Sequence, residues 1–202
     1  SKWFGPLLYS QHFPLATQSE HKIALALENR FSLLKPIINN IDYSILPKIY
    51  LEQAELDRIE KRLETFDFEA DKPLYMLNVL GSSKDKTYPP KAMAQLIDDI
   101  IALQPEAQLL FNYIPNQLEE AREIFDACKL ETQYRVRLDF YGESLREFIV
   151  LTSFCTALIG NEGGAIHMAK ALDVPTFAIF SPWIRTDDWN VNMADKLHRS
   201  VH

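Results

Sequence analysis

Two short polar loops carry the side chains of this sequence that are best suited to chemistry. The serine–lysine loop, residues 81–86, reads Gly-Ser-Ser-Lys-Asp-Lys, and the glycine turn, residues 161–164, reads Asn-Glu-Gly-Gly. Small hydroxyls, an ammonium group and backbone N–H groups at a strand-to-helix turn are donors that suit a phosphate. The first loop therefore indicates a phosphate site, with a solvated surface loop as the alternative.

The second loop places a carboxylate, Glu162, just before Gly163 and Gly164 at the predicted start of a helix. Glu162 either caps that helix or accepts hydrogen bonds from sugar hydroxyls while the glycine N–H groups face a diphosphate. The glycines are expected to allow a sharp turn and a close backbone approach to a ligand. His167 follows one helical turn later, where a histidine is more often structural than an acid or base.

The elements around these loops predict a sheet that brings both loops to one edge. Strands are predicted at residues 74–80, 108–113, 134–138, 157–160 and 176–180, and helices at 90–103, 117–128, 144–153 and from Gly164 until Pro175. This alternation is typical of an α/β fold, a doubly wound Rossmann-like parallel sheet. Open sheets of this kind bind ligands at the carboxyl ends of their strands. A G-x-G-x-x-G run is absent from the sequence, which argues against an ordinary NAD or FAD fold.

The N-terminal third of the chain has a different, helical pattern. Apolar residues recur at helical spacing over residues 20–34, and a second, highly charged helix is predicted at residues 50–66. The charged side chains of this second helix are expected to form a solvated face with pairs four residues apart.

Composition bounds the class of protein. The 202 residues are 47% hydrophobic and 24% charged, as in a globular protein with a substantial core. A net charge of −7 argues against a nucleic-acid partner. Cys128 and Cys155 stand in apolar segments and are predicted to be buried thiols, while the scattered histidines give no metal cluster. The longest apolar run, residues 148–160, is shorter than the roughly 20 residues of a membrane span.

Taken together, the two loops resemble those of glycosyltransferase family 9, the ADP-heptose:lipopolysaccharide heptosyltransferases. The resemblance rests on G-S-S-K-D-K-T-Y-P and on N-E-G-G-A-I-H-M-A-K-A-L-D-V-P-T-F-A-I-F-S-P, and it covers residues 73–183. It implies that the nucleotide-sugar donor is bound by Ser82, Ser83, Lys86, Glu162, Gly163, Gly164 and His167, the first three at the diphosphate. The family motif is usually Asp-Thr/Ser-Gly, so the glutamate and glycine found here leave the donor sugar open.

The resemblance also implies a domain organisation, the GT-B arrangement of two facing Rossmann-like domains. Residues 1–66 are then the end of the N-terminal acceptor domain with a helical linker, and residues 67–202 the C-terminal nucleotide-sugar-binding domain. The general base is expected in a first domain that this chain lacks, so no catalytic residue is assigned. A chain that starts at Ser1 is therefore expected to be a fragment, inactive alone.

The activity implied by the resemblance is inverting, metal-independent transfer of a heptose-like sugar from ADP-heptose to a lipopolysaccharide core acceptor. No cofactor is implied beyond the donor substrate, and the location is cytoplasmic. The resemblance is also compatible with peripheral association with the inner membrane through the missing domain. Two alternatives stay open: a GT-B protein that uses another nucleotide sugar, such as a UDP-sugar, and a non-catalytic binding domain. The substitutions at Glu162 and Gly163 favour the second of these.

Overall fold

The computed structural model describes residues 13–21, 23–189 and 197–202. Residues 1–12, Lys22 and 190–196 lie outside this description, so part of the predicted segment 1–66 does as well. The described residues form two compact units, one within Ser1–Leu46 and Arg185–Asp195 and the other within Pro47–Ile184 and Lys196–His202. The assignment of residues 1–66 to an earlier domain and a linker stays a prediction.

A parallel sheet forms the centre of the second unit. Its described strands are β1 (Leu74–Asn78), β2 (Gln108–Phe111), β3 (Val136–Arg137), β4 (Ala157–Asn161), β5 (Thr176–Ile179) and β6 (His198–Val201). The strand order is β3-β2-β1-β4-β5-β6, and every neighbouring pair is parallel. The predicted doubly wound, Rossmann-like α/β fold is confirmed, because this order reverses direction between β1 and β4.

The first and the last of the described helices belong to the first unit, and the others accompany the sheet in the second unit. The described helices are α1 (Leu25–Phe31), α2 (Gln53–Thr65), α3 (Pro90–Leu103), α4 (Leu118–Ala127), α5 (Leu130–Gln133), α6 (Leu145–Ser153), α7 (Gly164–Ala171) and α8 (Thr186–Trp189). Short 3₁₀ turns lie at Ser32–Leu34, Lys84–Lys86 and Pro115–Gln117. The periodic apolar residues face the sheet: Ile97 of α3 and Ile124 of α4 are fully buried.

Local sequence explains where several elements begin. Pro90 is the first residue of α3, a position where its fixed φ suits the helix and its missing N–H costs nothing. Ser144 caps α6, because its hydroxyl accepts a hydrogen bond from the Glu147 N–H at 3.1 Å. All of β2 is buried, as expected for a central strand of a sheet covered on both faces.

The first unit contains α1, the Ser32–Leu34 turn and α8. The buried carboxylate of Glu28, in α1, binds the residues that precede this helix. Ser19 donates to Glu28 at 2.6 Å, and the Glu20 and His21 N–H groups also donate to it. Burial raises the pKa of Glu28, but the hydrogen bonds from Ser19 and His21 outweigh it and lower the pKa from 4.5 to about 2. The helix predicted at 20–34 therefore begins later, at Leu25, since residues 19–21 turn back to bind Glu28.

Other boundaries also differ from the sequence prediction. The strand predicted at 134–138 is reduced to Val136–Arg137, because the preceding residues form α5. Strand β6, an edge strand that pairs with β5, was not predicted from the sequence. Its partly buried, polar residues, His198 to Val201, give no apolar run that would indicate a strand.

The charged face predicted for α2 is not simply solvated. The Arg62 Nη1 atom lies 2.9 Å from Glu147 Oε1 of α6, and the side chain of Glu147 is only 8% exposed. Arg146 of α6 donates two hydrogen bonds to the carboxylate of Glu55, at 2.6 and 2.7 Å. Glu55 and Arg62 therefore attach this helix to α6, which corrects the expectation for these two side chains. The other charged side chains are exposed, as expected of a solvated face: Glu52, Asp57, Arg58, Glu60, Lys61 and Glu64.

The two cysteines are confirmed as buried thiols. Cys128 and Cys155 are free and buried, and burial raises the pKa of each thiol to about 12. Among the described helices, none combines the length and the apolar composition that crossing a membrane requires.

Candidate functional site

The candidate site lies where β1 and β4 end side by side. Asn78, the last residue of β1, pairs with Gly160, and Asn161 ends β4. The chain leaves β1 toward β2 on one side and leaves β4 toward β5 on the other. In doubly wound folds the usual ligand position is at such a divergence, a crevice at the carboxyl edge of the sheet.

Close packing of these two strand ends depends on Gly160. Its φ is +134°, a conformation that L side chains rarely adopt. An added Cβ would also overlap the carbonyl oxygen of Asn78 on the neighbouring strand. Glycine at position 160 thus lets β4 approach β1 at the floor of the crevice.

The serine–lysine loop leaves β1 as a compact, self-bonded turn. The Gly81 N–H donates to the Thr87 hydroxyl at 3.0 Å, and this hydroxyl donates to the Ser83 carbonyl oxygen at 2.9 Å. Gly81 is required here because a Cβ would overlap the Lys86 carbonyl group. Backbone bonds within the loop thus hold Ser82, Ser83 and Lys86 at the surface, where all three are exposed.

The serine–lysine loop carries charges of both signs: its lysines, Lys86 among them, would attract a bound anion, and Asp85 would repel it. Lys86 makes no ion pair within the described part of the chain, so its ammonium group is open to a ligand. Asp85 is the opposing charge: the Ser83 hydroxyl holds the pKa of its carboxyl below the ordinary value. A phosphate would therefore meet the lysine and the backbone N–H groups with one carboxylate nearby.

The glycine turn leads directly from β4 into α7, whose N-cap is Gly163. The φ of Gly163 is 164°, an extended conformation open to any residue, so the backbone at this position does not require glycine. A Cβ on Gly163 would meet no atom within 4 Å, and one on Gly164 only the Met168 side chain at 3.9 Å. The glycines leave open space in front of the helix N-terminus, where backbone N–H groups are exposed.

The carboxylate of Glu162 lies close to the imidazole of His167. Glu162 Oε1 lies 3.4 Å from His167 Nε2, and the Glu162 side chain is only 12% exposed. Within residues 13–21, 23–189 and 197–202, no hydrogen bond joins this carboxylate to the first N–H groups of α7. Glu162 and His167 thus form a polar pair beside the crevice, and the helix-cap and sugar-binding interpretations of Glu162 both stay predictions.

Two asparagines, Asn78 and Asn161, connect the two loops, and neither was predicted as a site residue from the sequence. Asn78 donates through Nδ2 to the Asn161 carbonyl oxygen at 2.6 Å, and Asn161 donates through Nδ2 to the Asn78 carbonyl oxygen at 3.0 Å. The Asn161 Oδ1 atom accepts a hydrogen bond from the Tyr88 N–H, just after the serine–lysine loop. The signal that could have pointed to this pair was an asparagine inside the first apolar strand run and another directly after the run 157–160.

The fold brings the predicted site residues to one sheet edge in two groups. Ser82, Ser83 and Lys86 follow β1, while Glu162, Gly163, Gly164 and His167 follow the adjacent strand β4. Their binding of a nucleotide sugar stays a prediction. Among the described residues, no group of three or more His, Cys, Asp or Glu side chains is arranged to hold a metal ion.

The chain matches one family model and one curated relative, both of them heptosyltransferases. The family model described as glycosyltransferase family 9 (heptosyltransferase) matches residues 9–194. A curated relative, lipopolysaccharide heptosyltransferase 1 of Campylobacter coli, is 28% identical over 119 residues. That alignment covers 58% of this chain and 34% of the relative, so the chain spans about a third of the relative's length there.

Solved structures agree in fold. A family 9 glycosyl transferase from Veillonella parvula superposes with a TM-score of 0.74 at 16% identity, over 98% of this chain and 54% of that one. The ADP-heptose lipopolysaccharide heptosyltransferase II of E. coli gives a TM-score of 0.65 at 19% identity, over 81% and 47%. E. coli heptosyltransferase WaaC with ADP-2-deoxy-2-fluoro heptose gives 0.56 at 15% identity, over 96% and 53%.

The family match spans nearly the whole chain, and the fold of the superposed structures is the one described above. This chain covers about half the length of those structures, so the fold likeness concerns one part of them. The chain belongs to glycosyltransferase family 9, the heptosyltransferase family.

Proposed function

We propose that this chain forms the donor-binding part of a heptosyltransferase that takes its sugar from ADP-heptose. The main support is the pair of polar loops at the ends of β1 and β4, which flank the crevice where a doubly wound sheet binds nucleotides. Family membership supports the choice of a nucleotide sugar over other phosphate-bearing ligands.

The diphosphate lies between the serine–lysine loop and the N-terminus of α7 in this proposal. The open space in front of Gly163 and Gly164 leaves room for the diphosphate at the helix N-terminus. Lys86 offsets the charge of the diphosphate and Ser82 donates a hydroxyl hydrogen bond, while Ser83 donates to the diphosphate in place of Asp85. These groups also stabilise the negative charge that grows on the leaving ADP during transfer, which lowers the barrier.

The sugar is held by Glu162, whose carboxylate accepts hydrogen bonds from ring hydroxyls. The side chain is largely shielded from water and lies 3.4 Å from His167, which limits its possible orientations. A charged acceptor that is shielded from water discriminates well between sugars, because a missing hydroxyl leaves it unpaired.

The complete reaction needs more than the donor site. In the proposed GT-B arrangement an acidic general base and a lipopolysaccharide core acceptor act from the facing domain, and transfer is inverting and needs no metal. A base must come within hydrogen-bond reach of the acceptor hydroxyl. No residue of this chain is assigned that role, so we propose that the chain binds the donor without transferring the sugar by itself.

Calorimetry on the full chain tests the donor site. We expect ADP to bind more tightly than UDP and Lys86→Ala to weaken ADP binding by about 1.5–3 kcal/mol, the range for charge-assisted hydrogen bonds. Lys84→Ala is the matched control, an exposed lysine of the same loop.

Each result of this titration has a defined meaning. Equal losses for Lys84→Ala and Lys86→Ala would remove the specific diphosphate contact and leave only general charge attraction. A preference for UDP would assign the site to another nucleotide sugar. Binding of neither nucleotide would favour the non-catalytic domain, for which Glu162 and Gly163 already provide an argument.

A further inference from the structure

The strongest unassigned feature of the molecule is the buried amide pair between β1 and β4. Asn78 is 7% and Asn161 1% exposed, although both lie at strand ends on the carboxyl edge of the sheet. Two buried amides are costly unless each donor and acceptor is paired. The hydrogen-bond partners of the two amides therefore show which segments of the chain these side chains hold together.

The hydrogen bonds determine the orientation of the Asn161 amide without ambiguity. The Tyr88 N–H can only donate, so it must face the side-chain oxygen Oδ1, at 2.6 Å. The side-chain nitrogen Nδ2 then faces the Asn78 carbonyl oxygen, which can only accept, at 3.0 Å. Asn161 thus binds both the end of β1 and Tyr88, the second residue after the serine–lysine loop, with one side chain.

The partner amide completes the connection. Asn78 Nδ2 donates to the Asn161 carbonyl oxygen, which is part of the peptide group that continues into Glu162. Asn78 Oδ1 accepts from Asn112 Nδ2 at 2.8 Å, beyond the end of β2. Three strand ends and the start of the glycine turn are therefore joined in one hydrogen-bonded network.

The serine–lysine loop is bonded mainly to itself and to Asn161. Thr87 closes the loop through Gly81 and Ser83, and the next residue, Tyr88, donates to Asn161. Glu162 is bonded to Asn161 covalently. The Asn161 side chain is consequently a short physical link between the group proposed to bind the diphosphate and the group proposed to bind the sugar.

We propose that Asn161 is a positioning residue: it sets the separation of the serine–lysine loop and the glycine turn, and through it the affinity for a nucleoside diphosphate. This inference rests on the proposed donor-binding function. Asn161 does not touch the ligand in this proposal but acts through the Tyr88 N–H and the backbone of Glu162.

The first test needs no ligand. Asn161→Ala leaves the Tyr88 N–H without its acceptor, so hydrogen exchange of the amides at residues 84–88 should accelerate by about tenfold or more. Asn161→Asp keeps an acceptor facing Tyr88 and should preserve much of the protection of that amide. The control is Leu158→Ala, a core truncation in β4 that lowers stability without touching the network.

The second test is ADP affinity, measured by calorimetry at a temperature where every variant is folded. Asn161→Ala should weaken ADP binding by about tenfold, or 1.4 kcal/mol, while Leu158→Ala should leave the affinity unchanged. The Lys86→Ala loss should also shrink when combined with Asn161→Ala, because a displaced loop no longer presents the lysine. A purely structural asparagine would change melting temperature but neither affinity nor coupling.

The outcomes separate this inference from the proposed function. Unchanged loop exchange in Asn161→Ala would overturn the link, and so would faster exchange with unchanged ADP affinity. If the wild-type chain binds neither ADP nor UDP, the proposed function fails. The exchange rates then still decide whether Asn161 fixes the loop, since they are measured without a nucleotide.

Discussion

Replacement of Arg62 by alanine should destabilise the sheet domain strongly, because it leaves a shielded carboxylate without its cation. Arg62 is 21% exposed and contacts Glu147 at 2.9 Å, while its Nη2 atom donates to the Tyr141 carbonyl oxygen at 3.0 Å. Its guanidinium also lies 4.6 Å from the centre of the Phe140 ring. The side chain thus ends in an ion pair, a backbone hydrogen bond and a cation–π contact.

The magnitude follows from these contacts. Removing one partner of a buried ion pair costs about 3–5 kcal/mol of unfolding free energy. Glu147 keeps a hydrogen bond from the Glu143 N–H at 2.7 Å, which offsets part of the loss. We therefore expect Arg62→Ala to lower the free energy of unfolding by about 2–3 kcal/mol.

The assay is urea unfolding followed by circular dichroism, with Arg58→Ala as the matched control. Arg58 belongs to the same helix and lies 3.9 Å from the same Glu147 oxygen, but its side chain is 66% exposed. Exposed ion pairs contribute little, so Arg58→Ala should cost about 0.5 kcal/mol or less. The double variant Arg62→Met with Glu147→Gln should cost less than Arg62→Ala alone, since no charge is left unpaired.

Equal effects of the two arginine variants would refute this reasoning. The same holds if the loss of the double variant equals the sum of the losses of Arg62→Met and Glu147→Gln measured singly, because this additivity would mean that the two side chains do not interact.

Three further predictions concern the site and the two units. Glu162→Gln should weaken ADP-heptose binding by about 1.5–3 kcal/mol and leave ADP binding nearly unchanged, whereas equal losses in calorimetry for both ligands would argue against a sugar contact. Gly160→Ala should lower the melting temperature sharply, because the new methyl group overlaps the Asn78 carbonyl oxygen; a stability equal to wild type in a thermal melt would show that β4 can shift. The pKa of Glu28 is lowered in the folded state from 4.5 to about 2, so its stabilisation is present above 4.5 and is lost as the pH falls toward 2. Acid titration of urea unfolding should show this loss in wild type and not in Glu28→Gln, and identical profiles would contradict the assignment.

The sheet domain was predictable from sequence where local signals and burial agree. Helix α3 begins and ends as predicted, because Pro90 starts it and its apolar residues recur at helical spacing. The central strands are apolar runs bounded by turn residues, as expected for strands buried on both faces. Such signals fail for β6, whose residues are only partly buried at the edge of the sheet.

The candidate site was only partly predictable, because its residues interact across long stretches of sequence. The serine–lysine loop and the glycine turn were visible as local composition. The amide pair was not, because Asn78 and Asn161 meet only after β1 and β4 become neighbours. The delayed start of α1 has a similar cause, since Glu28 binds residues that precede the helix.

The open space in front of Gly163 makes this chain suitable for site-specific labelling. The sequence has two cysteines, and burial raises the pKa of both thiols to about 12, so neither is reactive at neutral pH. A cysteine introduced at Gly163 would have an unobstructed Cβ beside the crevice. An environment-sensitive dye attached there would report the arrival of a ligand directly, with no need to remove the native cysteines first.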